Sequence, residues 1–259
     1  MRKLFFFDID GTLTSAKVRN YVPDSTWEAL RLLKENGHFV ALATGRPEFR
    51  AREFQEIIKI PNMVCEGGNH LIMDYKTVWS EPLDQQVVRK IYKEAMEKGI
   101  GIAVATEDNR IRYTPNRLFE EKIGDYDQDF MVIKVDEQLD LEKRPPVKRL
   151  LIGLELHELD RLESIREIGV MHYRDNRYVL IEPDDKYKGI KRMVDLMNED
   201  ETNIIVFGDG LNDRKMFQDA AFSIAMGNAV DELKELADYV TDTSDHDGIY
   251  KACKHFGWI

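Results

Sequence analysis

The chain has 259 residues, 43% of them hydrophobic and 33% charged, with a formal net charge of -11 at pH 7. That balance fits one or two ordinary globular domains and argues against a nucleic-acid binder, which needs clustered Lys and Arg opposite the phosphates. No window is apolar enough to span a bilayer, so no membrane partner is expected.

The first apolar run, Leu4 to Phe7, predicts a strand that stops at Asp8; this run is too short for a signal-peptide core. The segment STWEALRLLKENG then predicts a helix with Trp27, Leu30 and Leu33 on one face, a capping box of Ser25 and Glu28, and a stop at Gly37. HFVALATGR reads as a buried strand running into Thr44, Gly45 and Arg46, EFRAREFQEIIK as a helix, and MVCEGG as a third strand. Strands alternating with helices imply right-handed βαβ units, hence an α/β fold with a doubly wound, Rossmann-like parallel sheet.

The texture changes over roughly residues 83–183. QVVRKIYKEAMEKG predicts a helix, IAVAT, RIRYT and VKRLLIGLE strands, HELDRLESIREIG a second helix, and VMHYRDNRYVLIE a hairpin turning at Asp175-Asn176. Arg112 and Tyr113 on the second of these strands are candidates to face a cleft, as well as to lie in solvent. This stretch reads as an inserted α+β domain bordered by Glu81-Pro82 and Glu182-Pro183, which divides the chain into 1–82, 83–183 and 184–259. Beyond it, KGIKRMVDLMNE places Ile190, Met193, Val194 and Met197 on one helical face ahead of the strand NIIVF, and FSIAM and NAVDELKELA continue the alternation. Two cysteines, Cys65 and Cys253, cannot build a disulfide framework or a thiolate metal site, which suits a reducing cytoplasm; a single disulfide stays open.

Three strands of the outer segments end in polar signatures: FFFDIDGT, ALATGR and VFGDGLND. In an open parallel sheet the carboxyl ends of the strands share one edge, where ligands bind, so these stretches are expected to converge. Asp8, Asp10, Asp209 and Asp213 would bring four carboxylates to one cleft, a charge density that demands a cation. Oxygen-only ligands select a hard ion, and few ligands with open positions favour Mg²⁺. Each signature alone has a plainer reading as a turn or a helix cap. The six histidines, His70 among them, show no metal-ligand spacing.

With DIDGT, LATGR, YKG, GDGLND and AMGNA in this order, the chain resembles the haloacid dehalogenase-like phosphatases of the Cof type, which carry a large α+β cap. The resemblance implies that Asp8 is the nucleophile that becomes an aspartyl phosphate, and that Asp10 is the general acid and then base. It implies Mg²⁺ held by Asp8, the backbone carbonyl of Asp10 and Asp209, with Asp213 supporting the site. Thr44 and Lys188 would complete the catalytic set, and Thr44, Gly45, Arg46, Lys188 and Asn212 would bind the substrate, a small phosphate ester. Lys186, two residues before Lys188, is the rival for its role. A monomer or homodimer, a phosphomutase using the same two aspartates, and a non-catalytic phosphate or metabolite sensor also stay open. The insertion would be the cap.

Overall fold

The computed structural model describes residues 2–126, 130–169, 172–174 and 177–259. The chain divides into two compact units, residues 1–80 with 184–259 and residues 81–183.

In the first unit the chain runs β1 (Leu4–Phe7), α1 (Asp24–Glu35), β2 (Phe39–Ala43), α2 (Glu48–Ile58), β3 (Met63–Cys65) and a hairpin of β4 (His70–Met73) and β5 (Lys76–Ser80). The inserted unit runs α3 (Gln85–Glu97), β6 (Ile102–Ala105), β7 (Ile111–Thr114), α4 (Leu118–Ile123), β8 (Val132–Val135), β9 (Arg149–Ile152), β10 (His172–Arg174) and β11 (Tyr178–Ile181). The first unit resumes with α5 (Lys186–Leu196), β12 (Ile204–Gly208), α6 (Arg214–Asp219), β13 (Phe222–Ala225), α7 (Asp231–Leu236), β14 (Tyr239–Val240) and α8 (Gly248–His255).

Among the described residues the first unit holds an eight-stranded sheet in the order β14-β13-β12-β1-β2-β3-β4-β5. It is parallel from β14 to β3 and antiparallel through β4 and β5. Alternation on the strands sends Phe5 and Phe7 to one face with α1, α2 and α8, and Leu4 and Phe6 to the other with α5, α6 and α7. Two apolar faces are why β1, β2 and β12 are buried without interruption. Strand order reverses around β1, and its neighbours β2 and β12 carry Thr44 and Asp209 just past their ends. Cys65 and Cys253 are both buried free thiols.

Among the described residues the inserted unit holds a six-stranded sheet, β10-β11-β9-β6-β7-β8. α3 covers one face through Val88, Ile91 and Ala95, while Phe119 and Ile123 of α4 cover part of the other. Tyr113 belongs to the α3 side of this core, with the Arg144 guanidinium 3.7 Å from its ring centre. Arg112 is buried, and its Nη1 donates to the carbonyls of Asn109 and Ile111.

Several local expectations change. Helix α1 begins at Asp24 behind Pro23 with no side-chain cap, so Ser25 lies inside the first turn and the expected capping box does not form. Its buried face is Thr26, Ala29, Leu30 and Leu33, with Trp27 largely outside it. HELDRLESIREIG forms two short 3-10 turns, Leu156–Arg161 and Ser164–Glu167, instead of one helix. The turn expected at Asp175-Asn176 lies outside the described residues.

His70 has a structural setting. Its Nε2 lies 3.1 Å from Glu48 Oε2 and 3.2 Å from Thr77 Oγ1, while Arg52 Nε donates to Glu48 Oε1 at 2.7 Å, tying α2 to the β4–β5 hairpin. The His70 hydrogen bond, aided by Arg52 against burial, holds the Glu48 carboxyl down at about 2. A carboxyl held below its usual 4.5 contributes stability at higher pH and loses it as pH falls through the folded value. The stability gap between the wild type and Glu48→Gln is therefore expected to be full above about pH 5 and to shrink as pH falls towards 2. Urea midpoints across that range check this; a constant gap would contradict it.

Candidate active site

The site begins where β1 ends. The Asp8 N–H continues the ladder to the Phe207 carbonyl at 3.0 Å, which fixes Asp8 beside the end of β12. The chain then turns sharply through Gly11, whose φ of +81° lies in the left-handed region. A Cβ at Gly11 would stand 2.2 Å from Asp209 Oδ2, so the glycine allows the two loops to close on each other. Thr12 Oγ1 donates to Asp209 Oδ1 at 3.0 Å, and Asn228 Nδ2 reaches the Gly11 carbonyl at 2.8 Å and Asp209 Oδ2 at 3.4 Å.

Asp8, Asp209 and Asp213 each offer a carboxylate oxygen, all within 4.8 Å of one another. Asp213 is fully buried, with Oδ2 accepting from the N–H groups of Asp209 and Gly210 at 2.9 and 3.0 Å and Oδ1 accepting from Lys186 Nζ at 2.6 Å. Lys186 Nζ also donates to Asp8 Oδ1 at 2.6 Å and is itself wholly buried.

Burial pushes the Asp8 carboxyl up to about 8 against the pull of Lys186, with Asp213 and Asp209 adding to the rise. Asp209 is raised to about 6, first by burial and then by Asp213. Burial works against the Lys186 ammonium, but Asp213 and Asp8 outweigh it and keep its pKa above the usual lysine range. Three carboxylates thus lie around one ammonium, and the raised pKa values of Asp8 and Asp209 reflect burial first and then the neighbouring carboxylates. This all-oxygen group suits a hard divalent cation, which would lower those values again.

The other expected residues divide. Thr44, 1% exposed, follows β2, with its N–H on the Val64 carbonyl and its Oγ1 accepting from the Arg46 N–H. A Cβ at Gly45 would lie 3.5 Å from Asn212 Nδ2, so the loops after β2 and β12 meet. The Asp10 side chain, 63% exposed, stands outside the three-carboxylate group, and Arg46 grips it with Nε on Oδ2 at 2.7 Å and Nη2 on Oδ1 at 2.5 Å.

The two lysines fall in different places. Lys186, and not Lys188, reaches Asp8; Lys188 Nζ instead donates to Asn69 Oδ1 at 3.3 Å and lies 5.5 Å from the Trp79 ring centre. The reason is helical geometry. On α5 the buried residues are Lys186, Gly189, Ile190, Met193 and Val194, and position 188 falls off that face. The expected apolar face, extended one turn back, carries this signal. Gly67-Gly68-Asn69 has a related role: a Cβ at Gly68 (φ +105°) would sit 1.9 Å from the Asp185 carbonyl, so this glycine lets the start of α5 dock on the loop.

The model of the haloacid dehalogenase-like hydrolases matches residues 5–253. The candidate phosphatase YkrA of Bacillus subtilis (strain 168) is 30% identical, over 99% of this chain and 98% of its own length. The 5-amino-6-(5-phospho-D-ribitylamino)uracil phosphatase YcsE of the same strain is 24% identical over 99% and 96%. Among solved structures, a hypothetical protein of Geobacillus kaustophilus HTA426 superposes with a TM-score of 0.83 at 28% identity over 100% of both chains. The subclass IIB sugar phosphatase BT4131 gives 0.77 at 29% identity over 99% of this chain and 100% of its own. The chain belongs to the haloacid dehalogenase-like hydrolase family, among its phosphatases.

Proposed function

We propose that the protein is a Mg²⁺-dependent phosphatase of small phosphorylated metabolites, sugar phosphates or phosphorylated cofactors, working through an aspartyl phosphate on Asp8. One observation carries this reading: Asp8 ends the central strand β1, buried against Asp209, Asp213 and the Lys186 ammonium. Relatives named as a sugar phosphatase and as a 5-amino-6-(5-phospho-D-ribitylamino)uracil phosphatase support the substrate class.

Asp8 and Asp209, with the Asp10 carbonyl, would hold the metal, and Asp213 would fix Asp209 and Lys186 behind them. When bound, Mg²⁺ supplies positive charge that keeps Asp8 ionised and offsets the anionic ester. Asp8 attacks phosphorus, and the ester oxygen leaves with a proton from Asp10, whose carboxyl must first come away from Arg46 and take up that proton. Asp10, now ionised, takes a proton from the water that cleaves the aspartyl phosphate. Lys186, with Thr44, holds phosphoryl oxygens where negative charge gathers. The inserted unit is read as the cap that governs substrate choice, because it is a separately packed α+β body spliced between β5 and α5.

A screen of phosphorylated metabolites for phosphate release tests the reading. Turnover is expected with Mg²⁺, should vanish with a chelator and should return when Mg²⁺ is restored. Full turnover after exhaustive metal removal would overturn the metal dependence.

A further inference from the structure

Lys186 Nζ is spent on Asp8 and Asp213, so Asp209, the third carboxylate, is held from elsewhere. Thr12 takes its Oδ1, and its Oδ2 faces the amide of Asn228, a half-buried residue between β13 and α7. That amide has a fixed orientation. A backbone N–H can only donate, so the atom that meets the Ser244 N–H at 2.9 Å is Oδ1, and the NH₂ end turns the other way. There it meets two acceptors, the Gly11 carbonyl at 2.8 Å and Asp209 Oδ2 at 3.4 Å, one on the loop after β1 and one on the loop after β12. The backbone around Asn228 is tied down as well: the Val230 N–H donates to the Asp209 carbonyl and the Gly227 N–H to the Asp242 carbonyl, both at 3.0 Å. A Cβ at Gly227 would stand 2.7 Å from the Thr243 nitrogen, so this glycine lets the segment after β14 come close enough for Ser244 to hold the amide.

Resting on the phosphatase reading and its metal, we propose that Asn228 is a positioning residue of the metal site: one amide sets the separation between the Asp209 carboxylate and the turn that carries the Asp10 carbonyl. Carboxylates gathered without a cation between them repel, and loops left free to splay must be drawn together each time the ion enters. A fixed amide offsets that cost beforehand, so its contribution is to affinity for the cation more than to the chemical step.

Direct metal binding tests this. Mg²⁺ is titrated calorimetrically, without substrate, into the full-length wild type and into Asn228→Ala. The variant is expected to bind Mg²⁺ about ten- to a hundredfold more weakly, the usual loss when a metal ligand loses its hydrogen-bond partner. With substrate present, the Mg²⁺ concentration for half-maximal turnover should rise by the same factor, while kcat at saturating Mg²⁺ stays within about threefold of the wild type. Asn228→Ser, a milder change whose hydroxyl is too short to span both loops, should show the same pattern. Thr12→Val, which releases the other oxygen of Asp209, should weaken Mg²⁺ binding too. Unchanged Mg²⁺ affinity in the Asn228 variants, or a fall in kcat that no Mg²⁺ concentration restores, overturns the positioning role. A wild type that binds no Mg²⁺ overturns the metal reading itself, and the role of Asn228 with it.

Discussion

An Asp10→Asn protein given p-nitrophenyl phosphate is expected to release a burst of nitrophenolate close to about one equivalent per enzyme, and then to turn over slowly. Nitrophenolate leaves without a proton, so Asp8 can still be phosphorylated, but the water that must cleave the aspartyl phosphate has lost its base. An alkyl phosphate, whose oxygen leaves poorly, should lose about two to four powers of ten already in the first step. The Asp8→Asn protein should give no burst with either ester. Equal slowing of both esters by Asp10→Asn, with no burst, would mean that Asp10 serves only to anchor Arg46.

The second large effect separates two lysines. Lys186→Met leaves Asp8 and Asp213 buried without their shared ammonium, and breaking a buried ion pair from one side costs about 3–5 kcal/mol of stability. Turnover should fall by about two to three powers of ten, the usual loss for one donor to a charged transition state. Lys188→Met removes a contact to Asn69 at the flank of α5 and should change turnover by no more than about threefold. Steady-state kinetics and denaturant midpoints on the two proteins decide it. The reverse order of effects would return the phosphate-binding role to Lys188.

Much of the core was legible because strands buried on both faces and amphipathic helices write their periods into the chain. LFFF, FVALA and IIVFG are continuous apolar runs, and each leads into a polar signature at one sheet edge. The β4–β5 hairpin was not legible: KTVWS is mostly exposed, so no burial pattern marks it. HELDRLESIREIG has helical composition, yet of its side chains only Leu162 and Ile165 are deeply buried, and one apolar pair gives a long helix too little to pack against. In the site, strand ends announce their carboxylates, whereas the choice between Lys186 and Lys188 depends on helix phase. The grip of Arg46 on Asp10 joins residues 36 apart and has no local signature at all.

The position of β1 also has a consequence for synthesis. One edge of this strand takes β2, within reach early, but the other takes β12, which begins at Ile204. At about 5–20 residues per second a ribosome leaves that second edge open for on the order of ten seconds or more. LFFF is an apolar, uncharged strand, the kind of open edge that recruits other chains. Residues 81–183 emerge whole within that interval, so the inserted unit can finish folding while the unit around it cannot. Any message truncated before residue 204 would yield a chain that keeps the sticky edge and never gains Asp209 or Asp213.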